Sequence, residues 1–492
     1  MKYNLSRRSL LNMALGAGSV IAAPGLARER ARARMIGIQV GAISFVDEGT
    51  ERVLDIMQER ASVNTLFLAV FTYGRGIAGR QIPGQPLPDH GKQEYDLAFH
   101  GGNFALPHPQ YYKNTVLKDT RAPDHGNLDI LAEVIPAARK RGIKVICWLE
   151  DVFRKDLPNI ERLQERDLYG RNAETLCFNN PDYRNFLTGL VEDYTRSYDV
   201  DGIMWGSERQ GALADSLGAT HDDPAIDPGS VTCFCQFCQK KATERGISVE
   251  RARQGFLELE KFVRAARGGK RPADGYYVQF WRLLLRYPEL AAWEMFWTDS
   301  LRETYEAIYK TVKAAKSTVP VGWHIWHNNS FNPIYRAEQD LHEMSKYSDF
   351  LKIVMYNNCG GERMALYIDN IGSTLFGDLS KQSLLEFNYA VMNLKERSYD
   401  QIPNTGLSAD YVYRETRRAL EGVAGTGTQI WPGIDIGIPT EPNHSKTTPQ
   451  AVKQAVHAAF RAGAPGVLLS RKYSEMRLAD LSGAGDAVRE LK

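Results

Sequence analysis

Two carboxylates in this 492-residue chain directly follow short apolar runs that predict β-strands. Glu208 ends residues 200–208, and Asp435 lies among apolar residues in 431–436. A charge among apolar residues is costly and indicates a functional role. Two facing carboxylates can cleave a glycosidic bond, one as proton donor and the other as nucleophile or as base to a water. We expect Glu208 to be the acid, with a raised pKa, and Asp435 to be its partner.

Other assignments remain open for both carboxylates. Glu208 could instead form a structural ion pair with Arg209 or with another cation. The competitors of Asp435 are Glu150, Asp151, Glu441 and Glu475. Glu386 is not a candidate, because the apolar spacing of residues 384–394 predicts a peripheral helix that begins near Ser380 or Ser383.

Aromatic and polar side chains follow the same apolar runs. Tryptophan and tyrosine offer flat apolar faces for the faces of sugar rings, and Asn, His, Arg and carboxylates bind hydroxyl groups. This mixture predicts a carbohydrate site, although single tryptophans could also fill the core. The predicted substrate-binding residues are His100, Trp148, Glu150, Asp151, Trp205, Trp323, His324, Trp326, Asn328, Tyr356, Asn357, Arg471 and Lys472. His100 belongs to a glycine-containing loop, residues 99–104, that could instead be purely structural.

Three cysteines, Cys233, Cys235 and Cys238, lie within one short segment. They are too close for independent disulfides but suit a tetrahedral Zn²⁺ ion, for which Cys177 is the candidate fourth ligand. One disulfide with a spare thiol is the alternative in an oxidising compartment. We expect structural zinc and no organic cofactor.

The elements that must position these residues alternate between short apolar runs and longer helical patterns. Eight such units predict a (β/α)8 TIM barrel of residues 34–492, with its site at the carboxyl ends of the strands. Two long connections, 72–127 and 209–287, follow the second and fourth strands and should rise from that face. The predicted strands are 35–43, 65–71, 144–149, 202–205, 319–326, 350–356, 429–436 and 466–470.

Residues 1–33 have the features of a twin-arginine signal peptide. Arg7 and Arg8 precede a weakly apolar run, residues 13–23, which is too short to span a hydrocarbon core of about 30 Å. We predict export by the twin-arginine machinery to the periplasm or beyond, with no permanent membrane anchor. The net charge of +2 is spread without a basic stripe, which argues against nucleic-acid binding and favours a neutral substrate.

The cysteine pattern around Glu208 resembles glycoside hydrolase family 42, the β-galactosidases with a structural zinc site. In that family one cysteine precedes the acid/base glutamate and a Cys-x-Cys-x-x-Cys group follows it. The resemblance implies that Glu208 is the acid/base and that Cys177, Cys233, Cys235 and Cys238 bind zinc. The chain departs from the family at Ser207, where the family has Asn, and at Asp435, where it has Glu.

Three further segments, 201–203, 347–350 and 463–467, resemble uncharacterised glycosyl-hydrolase-like barrels from bacterial secretomes. Together the residues and the resemblance predict a glycosidase that acts on a neutral sugar or oligosaccharide. They do not define the sugar or the oligomeric state, and a homo-oligomer is compatible with the sequence.

Two other functions compete with the glycosidase. One is a metal-dependent isomerase or lyase that uses His324, His327, Glu150 and Asp151 as ligands. Residues three apart on a strand face opposite sides, which argues against His324 and His327 as joint ligands. The other is a barrel that binds sugar without catalysis.

Overall fold

Eight apolar runs form parallel strands in the computed structural model, which describes residues 34–151, 157–222, 225–440 and 444–491. The strands are mainly short and buried on both faces, as expected where helices cover a parallel sheet. In chain order they are β1 (Met35–Gly41), β2 (Thr65–Thr72), β3 (Lys144–Glu150), β4 (Gly202–Gly206), β5 (Val321–Ile325), β6 (Phe350–Val354), β7 (Gln429–Asp435) and β8 (Gly466–Ser470).

The sheet closes on itself. Each strand pairs in parallel with its neighbours in the chain order, and β1 pairs with both β2 and β8 through Gly37↔Thr65 and Met35↔Gly466. The TIM barrel predicted from the sequence is therefore confirmed, and its strand ends differ from the predicted ends by at most two residues. The barrel is filled by aromatic rings, among which Phe350 and Trp431 stack with centroids 4.0 Å apart.

Helices surround the barrel and extend its carboxyl face. They are α1 (Ala42–Glu48), α2 (Thr50–Ala61), α3 (Arg75–Ala78), α4 (Ile130–Lys140), α5 (Pro181–Ser197), α6 (Ala212–Leu217), α7 (Gln236–Glu244), α8 (Val249–Arg267), α9 (Tyr276–Arg286), α10 (Glu289–Ala315), α11 (Pro333–Glu338), α12 (Leu341–Met344), α13 (Gly360–Gly372), α14 (Lys381–Met392), α15 (Ile402–Thr405), α16 (Ala409–Gly422), α17 (Pro449–Arg461) and α18 (Leu478–Glu490).

The predicted peripheral helix is α14. Ser380 caps it by accepting a hydrogen bond from the Ser383 backbone N–H, which satisfies one of the free donors of its first turn. Glu386 is exposed on this helix, as predicted. The carboxylate of Glu386 is thus a surface charge.

Long connections follow β2, β3 and β4. Those after β2 and β4 agree with the predicted long connections, and the second of these carries α6 to α9. The long connection after β3 was not predicted. In it, between β3 and α5, an antiparallel hairpin pairs Gln164–Arg166 with Asn172–Leu176. This hairpin becomes one wall of the cleft described below.

Residues from Met35 onward form one compact unit, and the contacts divide the chain after Arg34. The predicted signal peptide, residues 1–33, lies outside the described residues. Within the described part of the chain, no helix is both long and apolar enough to cross a bilayer.

Candidate active site

Glu208 and His324 meet at the carboxyl ends of β4 and β5. Gly206 pairs in register with His324, and a Cβ at position 206 would lie 2.7 Å from the His324 Cβ. Glycine at this position therefore leaves room for the imidazole. His324 Nε2 lies 2.8 Å from Glu208 Oε1, and the Glu208 side chain is 52% exposed whereas that of His324 is only 5% exposed. Glu208 thus remains accessible to a ligand.

The environment of Glu208 favours its ionised form. Partial burial raises the pKa of Glu208, but the hydrogen bond from His324 and the positive charges of Lys352 and Arg363 outweigh it and lower the pKa to about 2. The raised pKa predicted from apolar neighbours is therefore wrong. Near neutral pH Glu208 is a carboxylate.

Glu150 has the opposite environment. It is the last residue of β3 and pairs in register with Gly206, and its Oε2 accepts a hydrogen bond of 3.1 Å from Thr72 Oγ1. Burial, followed by the charge of Glu208, raises the pKa of Glu150 to about 8. Glu150 and Glu208 therefore form a pair in which one carboxyl group is protonated and the other is ionised at neutral pH.

Lys352, in the middle of β6, completes this group. It is fully buried, and its Nζ donates to His324 Nδ1 at 3.1 Å and to Tyr356 Oη at 2.9 Å. Burial lowers the pKa of Lys352 to about 7. The sequence analysis missed this residue, although a single lysine in the apolar run 350–355 was a usable signal, because a buried charge requires partners.

Arg363 is a second residue that the sequence analysis missed. It lies on α13, and its guanidinium donates to His327 Nδ1 at 3.1 Å. Its positive charge contributes to the lowered pKa of Glu208. No local sequence pattern indicated a role for Arg363. Residues 208 and 363 are far apart in the chain, and only the folding of the barrel brings them close together.

Asp435 is fully buried at the end of β7. Its Oδ1 accepts hydrogen bonds of 3.1 Å from both Asn358 nitrogens, and its Oδ2 accepts one of 2.9 Å from the Cys359 backbone N–H. Burial raises the pKa of Asp435 despite these donors. The carboxylate holds the loop after β6, and its assignment as second catalytic carboxylate stays a prediction.

The other competing carboxylates also have structural partners. Asp151 accepts hydrogen bonds from Tyr183 and Ser207. It also forms an ion pair with Arg209, whose Nε lies 2.8 Å from Asp151 Oδ2. Glu475 accepts from Arg471 at 2.9 Å. Glu441 lies outside the described residues.

Arg209, the cation named from the sequence as a structural partner of Glu208, pairs with other residues, and the basic residue that contacts Glu208 is His324. The Arg209 guanidinium bonds Asp151 and Glu165, donates to the Leu176 carbonyl oxygen, and lies 4.0 Å from the centroid of the Phe178 ring. Arg209 therefore joins the end of β3 to the hairpin.

A cleft of about 820 Å³ opens beside Glu208. The hairpin forms one wall, and Trp297 and Trp326 supply aromatic surface. Seven carboxylate side chains line the cleft, against the two arginines Arg171 and Arg209. A volume of this size accommodates a ligand of drug or small-oligosaccharide size.

Three predicted sugar-stacking residues lie in the core. Trp148 is 1% exposed, and Trp205 and Trp323 are fully buried. Tyr305 packs on both of the latter, with centroid distances of 5.4 and 4.4 Å. These three rings offer no surface to a ligand here, and Trp326 is the predicted tryptophan that borders the cleft.

Several predicted polar ligands hold loops together. Asn328 donates to the Gln210 side chain and to the Ala219 carbonyl oxygen. Asn357 is buried after β6, and its backbone oxygen accepts from Leu407. Their burial places both residues behind the surface of the site.

The basic residues after β8 and the predicted substrate-binding residue His100 lie in loops. Arg471 bonds Glu475, and Lys472 donates to the Gly79 carbonyl oxygen at 2.8 Å. His100 is half exposed and pairs with Asp124 at 3.1 Å. Binding of sugar by these residues stays a prediction.

The four cysteines Cys177, Cys233, Cys235 and Cys238 come together as predicted. All four are buried free thiols, and their sulfur atoms lie within 4.8 Å of one another. Cys177 Sγ lies 3.5 Å from the Sγ atoms of Cys235 and Cys238. Four sulfurs about 2.3 Å from a tetrahedral zinc ion would be about 3.8 Å apart, so the donor set fits this metal.

The two histidines of the isomerase hypothesis have separate partners. β5 ends at Ile325 and His327 begins a 3₁₀ turn. The two histidines therefore do not lie on one strand, which was the arrangement considered from the sequence. His324 bonds Glu208, and His327 Nε2 bonds Tyr411 Oη at 3.1 Å. Over the described ranges, the cysteine cluster is the one group of His, Cys, Asp and Glu that has metal-binding geometry.

No protein-family model and no curated protein matches the chain at the level of sequence. Glycoside hydrolases are among the solved structures to which it is similar. Over 94% of the chain it is similar to α-L-fucosidase isoenzyme 2 from Paenibacillus thiaminolyticus, at 13% identity, a TM-score of 0.49 and 49% coverage of that chain. Over 92% it is similar to a β-galactosidase from Halorubrum lacusprofundi, at 17% identity, a TM-score of 0.49 and 57% coverage.

A third neighbour is the glycoside hydrolase domain of PgaB (BpsB) from Bordetella bronchiseptica, at 11% identity and a TM-score of 0.48. That likeness covers 93% of this chain and 97% of the domain. By contrast, the chain spans only about half the length of the fucosidase and the β-galactosidase.

Proposed function

We propose that the protein is a glycoside hydrolase whose active site is the Glu150–Glu208 pair. The observation that carries this proposal is the placement of the two carboxyl groups at the ends of adjacent strands, in surroundings that raise the pKa of Glu150 to about 8 and lower that of Glu208 to about 2. Hydrolysis of a glycosidic bond requires one protonated and one ionised carboxyl group. The exposed face of Glu208 borders a cleft large enough for a sugar chain.

In this proposal Glu150 is the proton donor. Its raised pKa keeps a proton available near neutrality, which suits transfer to the leaving oxygen. Glu208, held as a carboxylate by His324, attacks the anomeric carbon or activates a water. These roles differ from the acid/base role that the family 42 resemblance gives to Glu208, and from the Glu208–Asp435 pair expected from the sequence.

We propose a neutral sugar or oligosaccharide as the substrate. The excess of carboxylates over arginines in the cleft would repel uronic acids and other anionic glycans. A panel of aryl glycosides containing neutral, amino and uronic sugars tests this directly. Hydrolysis of none of them, together with measurable binding of an oligosaccharide, would favour the non-catalytic sugar-binding barrel.

Zinc at the cysteine cluster is part of the proposal. Bound by four thiolates, the ion would fix α7 against the base of the hairpin, where Cys177 follows the strand Asn172–Leu176. Asn179 Nδ2 donates to Cys238 Sγ at 3.3 Å and could orient that ligand. This role is structural, because four protein ligands leave no open position.

Family membership and export are also proposed. The order of Cys177, Glu208 and the later cysteines, together with their donor geometry, supports a relation to family 42. Arg7 and Arg8 before the apolar run support export by the twin-arginine route to the periplasm or beyond.

A further inference from the structure

A series of hydrogen bonds, Glu208–His324–Lys352–Tyr356, runs from the residues after β4 through β5 to β6 and the residues that follow it. Its three links measure 2.8, 3.1 and 2.9 Å, and His324, Lys352 and Tyr356 are each at most 5% exposed. The charge of Lys352 contributes to the low pKa of Glu208. Its hydrogen bond to His324 gives it a second effect on that carboxylate.

A protonated lysine has three N–H donors and no acceptor. While it is protonated, Lys352 can therefore bond His324 Nδ1 only if that nitrogen carries no proton. The proton of the neutral ring then lies on Nε2, which is the atom 2.8 Å from Glu208 Oε1. In this state His324 donates to Glu208, and Glu208 accepts as a carboxylate.

We propose that Lys352 is a positioning residue that fixes His324 as the neutral Nε2–H tautomer and thereby holds Glu208 ionised and oriented. This inference rests on the proposed function for its catalytic consequence, but the tautomer itself does not. The positive charge of Lys352 also opposes a second proton on His324, whose pKa is lowered by burial and then by Lys352. Tyr356 Oη accepts from the same ammonium group.

Polar and charged side chains surround Lys352, and a glycine leaves room for its side chain. The groups that face it are His324 from β5, Glu208 and Glu150 from the ends of β4 and β3, and Tyr356 and Arg363 from the chain after β6. From β7, Gly433 contributes no side chain, and a Cβ there would lie 2.7 Å from Lys352 Cε and 3.3 Å from Nζ. An alanine at 433 would therefore displace the ammonium group without removing it.

The test is nitrogen NMR of the full chain labelled with ¹⁵N-histidine, in the absence of substrate. The chain has ten histidines, and a His324→Gln variant assigns the signals of this one. We expect an unprotonated Nδ1 and a protonated Nε2 at about pH 6, where Lys352, with its pKa lowered to about 7, is mostly protonated. A Nδ1–H tautomer or an imidazolium in the unmodified protein would overturn the proposal.

Two variants then test the cause. In Lys352→Met, which lacks the donor and the positive charge, we expect His324 to leave this tautomer, by becoming protonated beside Glu208 or by exchanging its proton between the two nitrogens. Gly433→Ala should shift the same signals and also covers the case in which Lys352→Met fails to fold. Lys310→Met, at an exposed lysine paired with Glu306, is the matched control and should leave them unchanged. Unchanged His324 signals in folded Lys352→Met would refute the assignment.

Kinetics separate this inference from the proposed function. On a hydrolysed aryl glycoside, Lys352→Met should lower kcat by about tenfold or more, with a smaller effect on KM, because the variant loses orientation of a reacting carboxylate. If no glycoside is hydrolysed but the tautomer and its response are observed, the proposed function fails while the role of Lys352 stands. If hydrolysis is observed and kcat does not change in Lys352→Met, the positioning role fails.

Discussion

The carboxylate of Glu208 is one of the two main causes that raise the pKa of Glu150 to about 8, burial being the larger. Glu150 ends β3 and Glu208 follows the adjacent strand β4, in which Gly206, two residues before Glu208, pairs in register with Glu150. The protonation of Glu150 therefore depends on the charge of Glu208. This dependence is the basis of the first two predictions.

Glu150→Gln and Glu208→Gln should have different leaving-group dependence. Without its proton donor, the Glu150 variant should lose about 10²–10⁴-fold in kcat with poor leaving groups and little with activated aryl groups. The Glu208 variant should lose activity with both, because it lacks the reacting carboxylate. Glu386→Gln on the exposed face of α14 is the control and should behave as the unmodified protein. The reverse pattern would restore Glu208 as the acid.

The pH profile of kcat/KM should have a descending limb near pH 8. Activity requires protonated Glu150, whose pKa is raised to about 8 by burial and by Glu208, so activity is lost as pH rises through that value. The ascending limb belongs to Glu208, at about pH 2, below the range in which most proteins stay folded. In Glu150→Gln the descending limb should disappear from the residual activity on activated substrates. A limb that persists unchanged would assign it to another group.

Asp435→Asn should lower stability more than it changes catalysis. The amide would present an NH₂ group to one of the N–H donors of Asn358 and Cys359, at a cost of about 1–3 kcal/mol in the free energy of unfolding. Denaturant unfolding measures this cost, and the leaving-group dependence should remain that of the unmodified protein. Full stability with complete loss of turnover would instead identify Asp435 as the catalytic partner.

Purified protein should contain one zinc ion per chain, measured by mass spectrometry of the metal. Cys235→Ser should lose the metal and lower the Tm by roughly 5 °C or more, because zinc binding by four thiolates is coupled to folding. Cys147→Ala, at a buried cysteine of β3 outside the cluster, should keep the zinc. Metal-free protein with a disulfide among the four cysteines and full activity would contradict the zinc site.

Export should depend on Arg7 and Arg8. The twin-arginine receptor recognises this pair ahead of a weakly apolar run, so changing both to Lys should leave the precursor in the cytoplasm. Fractionation of cells followed by immunoblotting measures the distribution. Lys2→Arg, which keeps the charge outside the pair, is the control. Unimpaired export of the double variant would indicate a different route.

The sequence alone determined the barrel, because strand and helix periodicity are local properties. Each strand was predicted within two residues of its ends, and α14 was correctly distinguished from a strand by its apolar spacing and its Ser380 cap. Cys177 was correctly grouped with the later cysteines, because few donors in the chain could complete a four-sulfur set. Glu208 was also identified from the local sequence, because it is a charged residue directly after an apolar run.

Only the tertiary structure decided how these residues interact. A pKa depends on burial and on charges brought close by folding, so the low pKa of Glu208 and the high pKa of Glu150 could not be deduced from their apolar neighbours in sequence. The same holds for Lys352, whose partners come from β5 and from the chain after β6. Trp205 and Trp323 were predicted at the site from the sequence but lie in the core. Packing of a helix against the barrel buries their rings, and that packing exists only in the folded protein.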